Sequence, residues 1–183
     1  MNQPQKILTQ SFTAEWQEIA QALITDIGVS LPHQQNSTNT LPFKGLWDTG
    51  ATTCAITSMV AKAIGARPVS KIIVKGVHGP QPCNQYLINI YLPNHIRIDS
   101  IPAMELFDND QFDALIGMNV ISLGDFSISN LDGKTSFTFR MPSCQKPDFV
   151  KYWPKDTTVC TCGSGSQFKN CCKKLIQNME FVD

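Results

Sequence analysis

The chain reads as an all-β protein, a barrel or sandwich with one or two short helices, followed by a small cysteine-rich module. Three observations predict this. Short apolar, β-branched segments recur at close intervals, separated by Gly, Pro, Asn and Asp turn residues. Only 16% of the 183 residues are charged, which is low for a helical bundle and suits a sheet-rich or oligomer-burying surface. Four of the seven cysteines crowd into the stretch Cys160–Cys172.

The elements follow in order. Trp16, Ile19, Ala20 and Leu23 keep helical spacing, whereas Ile27 and Val29 alternate like a strand, so a strand starts near residue 22 and what precedes it stays open. The polar tract from His33 to Thr40 is a loop, and Phe43–Trp47 a short strand. Ile56 to Ile64, with Ser/Thr at its start and Gly65 at its end, suits one short helix. Ile72–Lys75 is a β-branched strand, Gly76–Pro80 a hairpin tip and Tyr86–Leu92 the returning strand. Further short strands fit Ile96–Ile98, Ala114–Ile116, Phe126–Ile128 and Ser136–Phe139, with Asn130–Gly133 supplying a turn. From Met141 onward Pro142, Pro147 and Pro154 punctuate a segment without periodicity.

Charge and hydropathy narrow the function. Fifteen Lys+Arg balance fifteen Asp+Glu, which disfavours bulk nucleic acid or an anionic membrane as the main partner. No apolar run approaches the ~20 residues of a spanning helix. The N-terminus is polar and lacks the apolar stretch of a secretion signal, so a cytoplasmic protein is expected. An odd total of seven cysteines, no secretion signal and the clustering of four argue for thiolates on a metal and against a disulfide framework.

The chemistry begins at Leu46-Trp47-Asp48-Thr49-Gly50-Ala51, which puts a carboxylate on a turn straight after an apolar strand. Gly50 permits close backbone approach, and the hydroxyls of Thr49 and Thr52 can brace the loop. Downstream come a glycine-flanked hairpin tip, Gly76-Val77-His78-Gly79, and a second apolar pair before glycine, Leu115-Ile116-Gly117. In this order and spacing, over roughly residues 22–140, the chain resembles the retropepsin-like aspartic proteases, the family of the retroviral enzymes. Trp47 is bulkier than the family's usual aliphatic residue, and the tip carries His78 between only two glycines.

That resemblance implies a closed retropepsin-like barrel and an aspartic endopeptidase acting on peptide or protein substrates. It makes Asp48, Thr49 and Gly50 catalytic-loop residues, and Ala51, Val77, His78 and Gly79 substrate-contacting ones. Aspartic proteolysis needs two carboxylates sharing a proton, and the chain holds a single Asp-Thr/Ser-Gly. The site would therefore form across a two-fold axis, with one Asp48 from each protomer of a homodimer. His78 also reads as a plain solvated turn residue, and Cys54 as a small core residue.

Cys160-Thr-Cys162, eight residues, then Cys171-Cys172 offers four thiols, the closed tetrahedral set of a structural zinc site. Gly163 and Gly165 allow sharp turns, and Lys169, Lys173 and Lys174 offset thiolate charge. The run is similar to the SEC-C motif, the zinc-binding tail of the bacterial preprotein translocase ATPase and many other bacterial proteins. It implies a bound Zn2+ and a docking partner, either protein or ribosome. The expected organisation is a protease domain over 1–143, a linker over 144–157 and the zinc module over 158–183. Two readings compete with the protease: a non-catalytic peptide-binding module with a zinc-mediated interaction tail, and, more weakly, a nucleic-acid adaptor working through that tail.

Overall fold

The computed structural model describes residues 9–32, 40–76, 79–148, 155–160 and 162–177. The chain divides into two compact units, 1–144 and 145–183.

Among its described residues the first unit holds ten strands: β1 (Gln10–Glu15), β2 (Ile24–Ser30), β3 (Leu41–Trp47), β4 (Cys54–Thr57), β5 (Ser70–Gly76), β6 (Gly79–Leu92), β7 (Ile96–Leu106), β8 (Ala114–Ile116), β9 (Asp125–Ser129) and β10 (Ser136–Met141). Two short helices, α1 (Ser58–Ala63) and α2 (Met118–Ile121), interrupt them. Strands pair in the order β2-β3-β8-β4-β7-β6, and β6 pairs again with β2, so six strands close into a barrel with β5 attached to β6. The all-β class with a closed barrel and short helices is therefore what the chain adopts. A separate sheet, β1-β10-β9, is antiparallel throughout.

Alternation decides which side chains fill the barrel. Ile27, Val29, Trp47, Ile56, Ile88, Ile90, Ile96, Ile98 and Ile116 are all buried, and Val60, Val120 and Ile121 come in from the helices. Above them sits an aromatic layer. Phe12, Phe137 and Phe139 on the inner face of the β1-β10-β9 sheet, with Phe126 beside them, surround the Trp47 indole at centroid distances of 4.9 to 6.1 Å. The indole N–H, which cannot be left dry without cost, donates to Thr25 Oγ1 at 3.0 Å.

Several boundaries differ from the sequence reading, each for a local reason. The helix expected over Ile56–Ile64 begins at Ser58, because Cys54–Thr57 pairs with β7 and β8 as a strand. Thr57 Oγ1 caps it by accepting from Val60 N, and the Asp108 carboxylate accepts from Ser58 Oγ and Met59 N. The strand expected to end at Ile98 continues to Leu106, since Ser100 takes a positive φ of 55° and its N–H reaches Asn89 Oδ1 across a β-bulge. Gln10–Glu15, within the segment left open, is a strand whose Phe12 points into the aromatic layer. Thr40 is described from the predicted loop, while His33–Asn39 lies outside the described residues.

In the second unit, Val159 and Gln167 form an antiparallel bridge, a 3-10 turn covers Phe168–Asn170, and α3 spans Cys172–Gln177. Phe168 is its buried apolar anchor.

Candidate active site and cysteine cluster

Asp48 leaves the barrel at the end of β3, where the chain runs parallel to β8. Its N–H continues that ladder by donating to Ile116 O at 3.0 Å. The turn then folds back on itself: Gly50 N donates to Asp48 Oδ1 at 2.8 Å, and Ala51 N to Asp48 O at 3.3 Å. One carboxylate oxygen is thus held by the backbone of its own turn, while the side chain stays half-buried and Thr49 and Gly50 are exposed.

The loop after the turn is fastened to Gly117. Met118 N donates to Ala51 O at 2.8 Å and Asn119 N to Thr52 O at 3.2 Å. A Cβ on Gly117 would lie 2.6 Å from the Thr53 carbonyl carbon and 2.9 Å from Ala51 O, so only glycine lets the two loops cross this closely. Asn119 completes the brace. Its Oδ1 accepts from both Cys54 N (2.9 Å) and Cys54 Sγ (3.0 Å), and its Nδ2 donates to Pro102 O. Cys54 Sγ in turn accepts from Gly117 N at 3.3 Å, and burial pushes its thiol up to about 11, so it stays protonated and able to donate.

Strand registers define the surface that flanks the carboxylate. Leu46, Leu115, Ala55, Met104, Gln85 and Ser70 are successive partners across six strands. Asp48 lies two residues beyond Leu46 and so shares that face by alternation. The row is apolar near Asp48 and polar at its far end, where Ser70 Oγ donates to Gln85 Oε1 at 2.8 Å.

The structure brings Asp48, Thr49, Gly50 and Ala51 together in one turn. The hairpin paired from Ser70↔Gln85 to Gly76↔Gly79 stands where the resemblance put a flap, and Gly79 opens β6. Val77 and His78 lie outside the described residues. Asn119 was missed in the sequence, although a lone amide in the apolar run Ala114–Ile121 was there to be noticed.

The other cluster is the four cysteines. The Sγ atoms of Cys160, Cys162, Cys171 and Cys172 all lie within 4.8 Å of one another. A tetrahedral zinc with Zn–S bonds of about 2.3 Å needs sulfurs about 3.8 Å apart, so the four residues fit such an ion. Positive φ at Gly163 (81°) and Gly165 (71°) turns the chain between the two cysteine pairs. Ser164 Oγ lies 3.2 Å from Cys171 Sγ. Hydrogen bonds from the Ser164 side chain and backbone draw Cys162 down to about 6, whereas hydrogen bonding to Cys160 and Cys162 keeps the proton on Cys172, pushed up to about 12. Among the described residues this is the one cluster of metal-ligating groups.

Residues 35–120 match the aspartyl protease family. The matched stretch carries the Asp48 turn, the β5–β6 hairpin and Gly117. No curated protein matches the chain in sequence. Among solved structures, the chain is similar to a retropepsin-like aspartic protease from Rickettsia conorii, with 15% identity, TM-score 0.49, and coverage of 75% of this chain and 98% of that one. It is also similar to the EIAV protease in complex with the inhibitor HBY-793 (16%, TM-score 0.41, 55% and 85%). A further likeness is to the retroviral protease-like domain of Ddi1 from Leishmania major (15%, TM-score 0.38, 61% and 91%). Among the described residues no helix is long and apolar enough to cross a membrane.

Proposed function

We propose that the chain is a retropepsin-like aspartic endopeptidase that works as a homodimer. The observation carrying this reading is the Asp48 turn: a carboxylate with one oxygen held by Gly50 N, on a loop fixed to Gly117, inside the stretch matched by the aspartyl protease family. One chain supplies one such carboxylate. In the dimer, Asp48 of each protomer faces the other across the two-fold axis and the pair shares a proton. The ionised member takes a proton from a water, which attacks the scissile carbonyl. The protonated member hydrogen-bonds the carbonyl oxygen as the tetrahedral species forms, then a proton passes to the leaving nitrogen. Thr49 and Gly50 hold the carboxylates in place, while Ala51 and the hairpin residues Val77, His78 and Gly79 line the substrate. The Leu115–Ala55–Met104 row favours an apolar side chain beside the scissile bond.

The protease domain occupies residues 1–143 and the linker 144–157. Over 158–183, Cys160, Cys162, Cys171 and Cys172 would hold a structural Zn2+ that fixes the fold of a SEC-C-like docking module for a protein or the ribosome. The place of action is the cytoplasm.

The test is cleavage of a peptide library by the purified full chain, with light scattering on the same sample. The expected result is a mass near twice 20.3 kDa and a bell-shaped pH profile. Asp48→Asn should leave the dimer intact and lower kcat by at least about 10³-fold. Undiminished cleavage by that variant would sink the assignment.

A further inference from the structure

The β5–β6 hairpin joins the barrel along one line. Among the described residues β5 pairs only with β6, and the β6–β7 ladder stops at Gln85↔Met104. From Asn84 back to Gly79, β6 is paired with β5 alone, so a two-stranded ribbon projects from the barrel. Burial changes at the same place. Tyr86 is buried, Cys83, Asn84 and Gln85 are half-buried, and Pro80, Gln81 and Pro82 are exposed. Pro80 and Pro82 have no N–H with which to extend a ladder to a further strand. The lean of such a ribbon is therefore set where it joins the barrel.

One residue of β7 gathers the side-chain hydrogen bonds at that junction. Glu105 Oε1 accepts from Tyr86 Oη at 2.9 Å, and its Oε2 accepts from Asn84 Nδ2 at 2.8 Å. Its carbonyl oxygen accepts from Cys83 Sγ at 3.3 Å. The carboxylate thus bridges the last laddered residue of β6, with Tyr86 on the barrel side and Asn84 on the projecting side. Glu105 is backed in turn by β4, whose four residues are all buried, through the register Ile56↔Glu105. All three donors are neutral, and none of the ion pairs among the described residues involves Glu105. Its charge serves to strengthen these hydrogen bonds over what a neutral acceptor would give.

Alternation places this clamp behind the groove. Met104 and Gln85 belong to the row that leads to Asp48, and Glu105, Asn84 and Tyr86 are their chain neighbours, so they face the opposite side. They stand away from the reacting atoms and act on the strand pair that flanks them.

We infer that Glu105 is a positioning residue for the hairpin: by tying Asn84 to Tyr86 across the junction, it fixes the angle at which the 70–85 ribbon stands over the Asp48 site. The inference rests on the proposed reading of the hairpin as substrate-lining and deepens it by naming the residue that sets its pose.

The experiment compares three variants of the full chain, each checked for folding by near-UV circular dichroism. Glu105→Leu removes both carboxylate bonds, and Asn84→Ala only the one on the projecting side. Glu105→Gln keeps both, since its Oε1 still accepts from Tyr86 and the Asn84 amide can turn over to accept from Nε2. Nitrogen-15 relaxation is measured on the amides of residues 70–76 and 83–85, and steady-state cleavage on a peptide that the unmodified chain cuts. Order parameters of the ribbon should drop from about 0.85 to below about 0.6 in Glu105→Leu, while those of residues 86–92 stay unchanged. In the same variant kcat/KM per folded protein should fall roughly 10-fold, with kcat and KM both moving. Asn84→Ala should show the same changes at smaller size, and Glu105→Gln should retain most of the activity. Unchanged ribbon order and kcat/KM in Glu105→Leu, or in Asn84→Ala should the first variant not fold, overturn the role of Glu105 and leave the protease standing. Equal losses in Glu105→Leu and Glu105→Gln overturn it as well, because the bonds would not be what matters. An unmodified chain that cleaves no peptide overturns the protease reading itself, and the positioning role with it.

Discussion

Three residues carry most of what fixes the Asp48 turn: Gly117, Asn119 and Cys54. Gly117 has no room for a methyl group, because backbone atoms of Ala51 and Thr53 already stand within 2.9 Å of where it would go. Backbone cannot swing aside as a long side chain can. Gly117→Ala should therefore destabilise the first unit by about 1–3 kcal/mol or more, read as a fall in the urea midpoint at constant slope. It should also reduce cleavage beyond the loss of folded protein, since the displaced loop carries the carboxylate. The Asp48 turn itself was legible, because Asp-Thr-Gly-Ala after an apolar pair is a local pattern that chemistry demands at fixed spacing. Asn119 was not. Its role depends on facing Cys54, 65 positions away, through a loop crossing that no local periodicity encodes. Cys54 looked like an ordinary core residue and is one, with a thiol that also links the two loops.

Among the elements, those with a clean two-residue period were read closely, and those whose ends depend on distant partners were not. Ala114–Ile116 was read to the residue, and Phe126–Ile128 gained one residue at each end. The helical spacing of Trp16, Ile19, Ala20 and Leu23 is not realised as a helix. Trp16 N and Ala20 N are instead taken by Thr135, one by its carbonyl and one by its hydroxyl. β10 shows how a distant partner sets an end. Its last turn is held by Asp125, which accepts from Ser143 Oγ, Cys144 N and Arg140. These donors, Ser143 first, hold the Asp125 carboxyl well below the usual carboxylate range. The unfolded chain therefore binds this proton more readily than the folded one. The stabilisation is complete above the unfolded pKa of about 4 and is lost as pH falls below it. Asp125→Asn should accordingly be less stable than the unmodified chain at neutral pH, with the gap in thermal midpoint narrowing steadily from about pH 4 down to pH 2. A gap independent of pH would mean that the carboxylate charge contributes nothing to holding β9 against β10.

At the scale of the whole molecule, two cores of different origin share one chain. The first is hydrophobic: some two dozen buried apolar side chains and an aromatic layer, all within residues 1–144. The second has little to bury. Among its described residues only Cys160 and Phe168 are buried, too few to make an apolar core of those residues alone. A metal would supply the missing free energy, because binding to a site absent from the unfolded chain adds directly to folding. The change of character was legible as prolines without periodicity followed by clustered thiols. The Cys-x-Cys and Cys-Cys spacing with two glycines between them also suggested one four-thiol set, and the positive φ at Gly163 and Gly165 is the turn by which the chain reverses between the two pairs. The full chain should carry about one zinc by mass spectrometry of the metal content. Cys162→Ser should lose it. The near-UV dichroism arising from Trp47 and its four phenylalanines should persist in that variant, because every one of those rings belongs to the first unit. Collapse of that signal together with the metal would show that the barrel depends on the cysteine cluster and that the two cores fold as one.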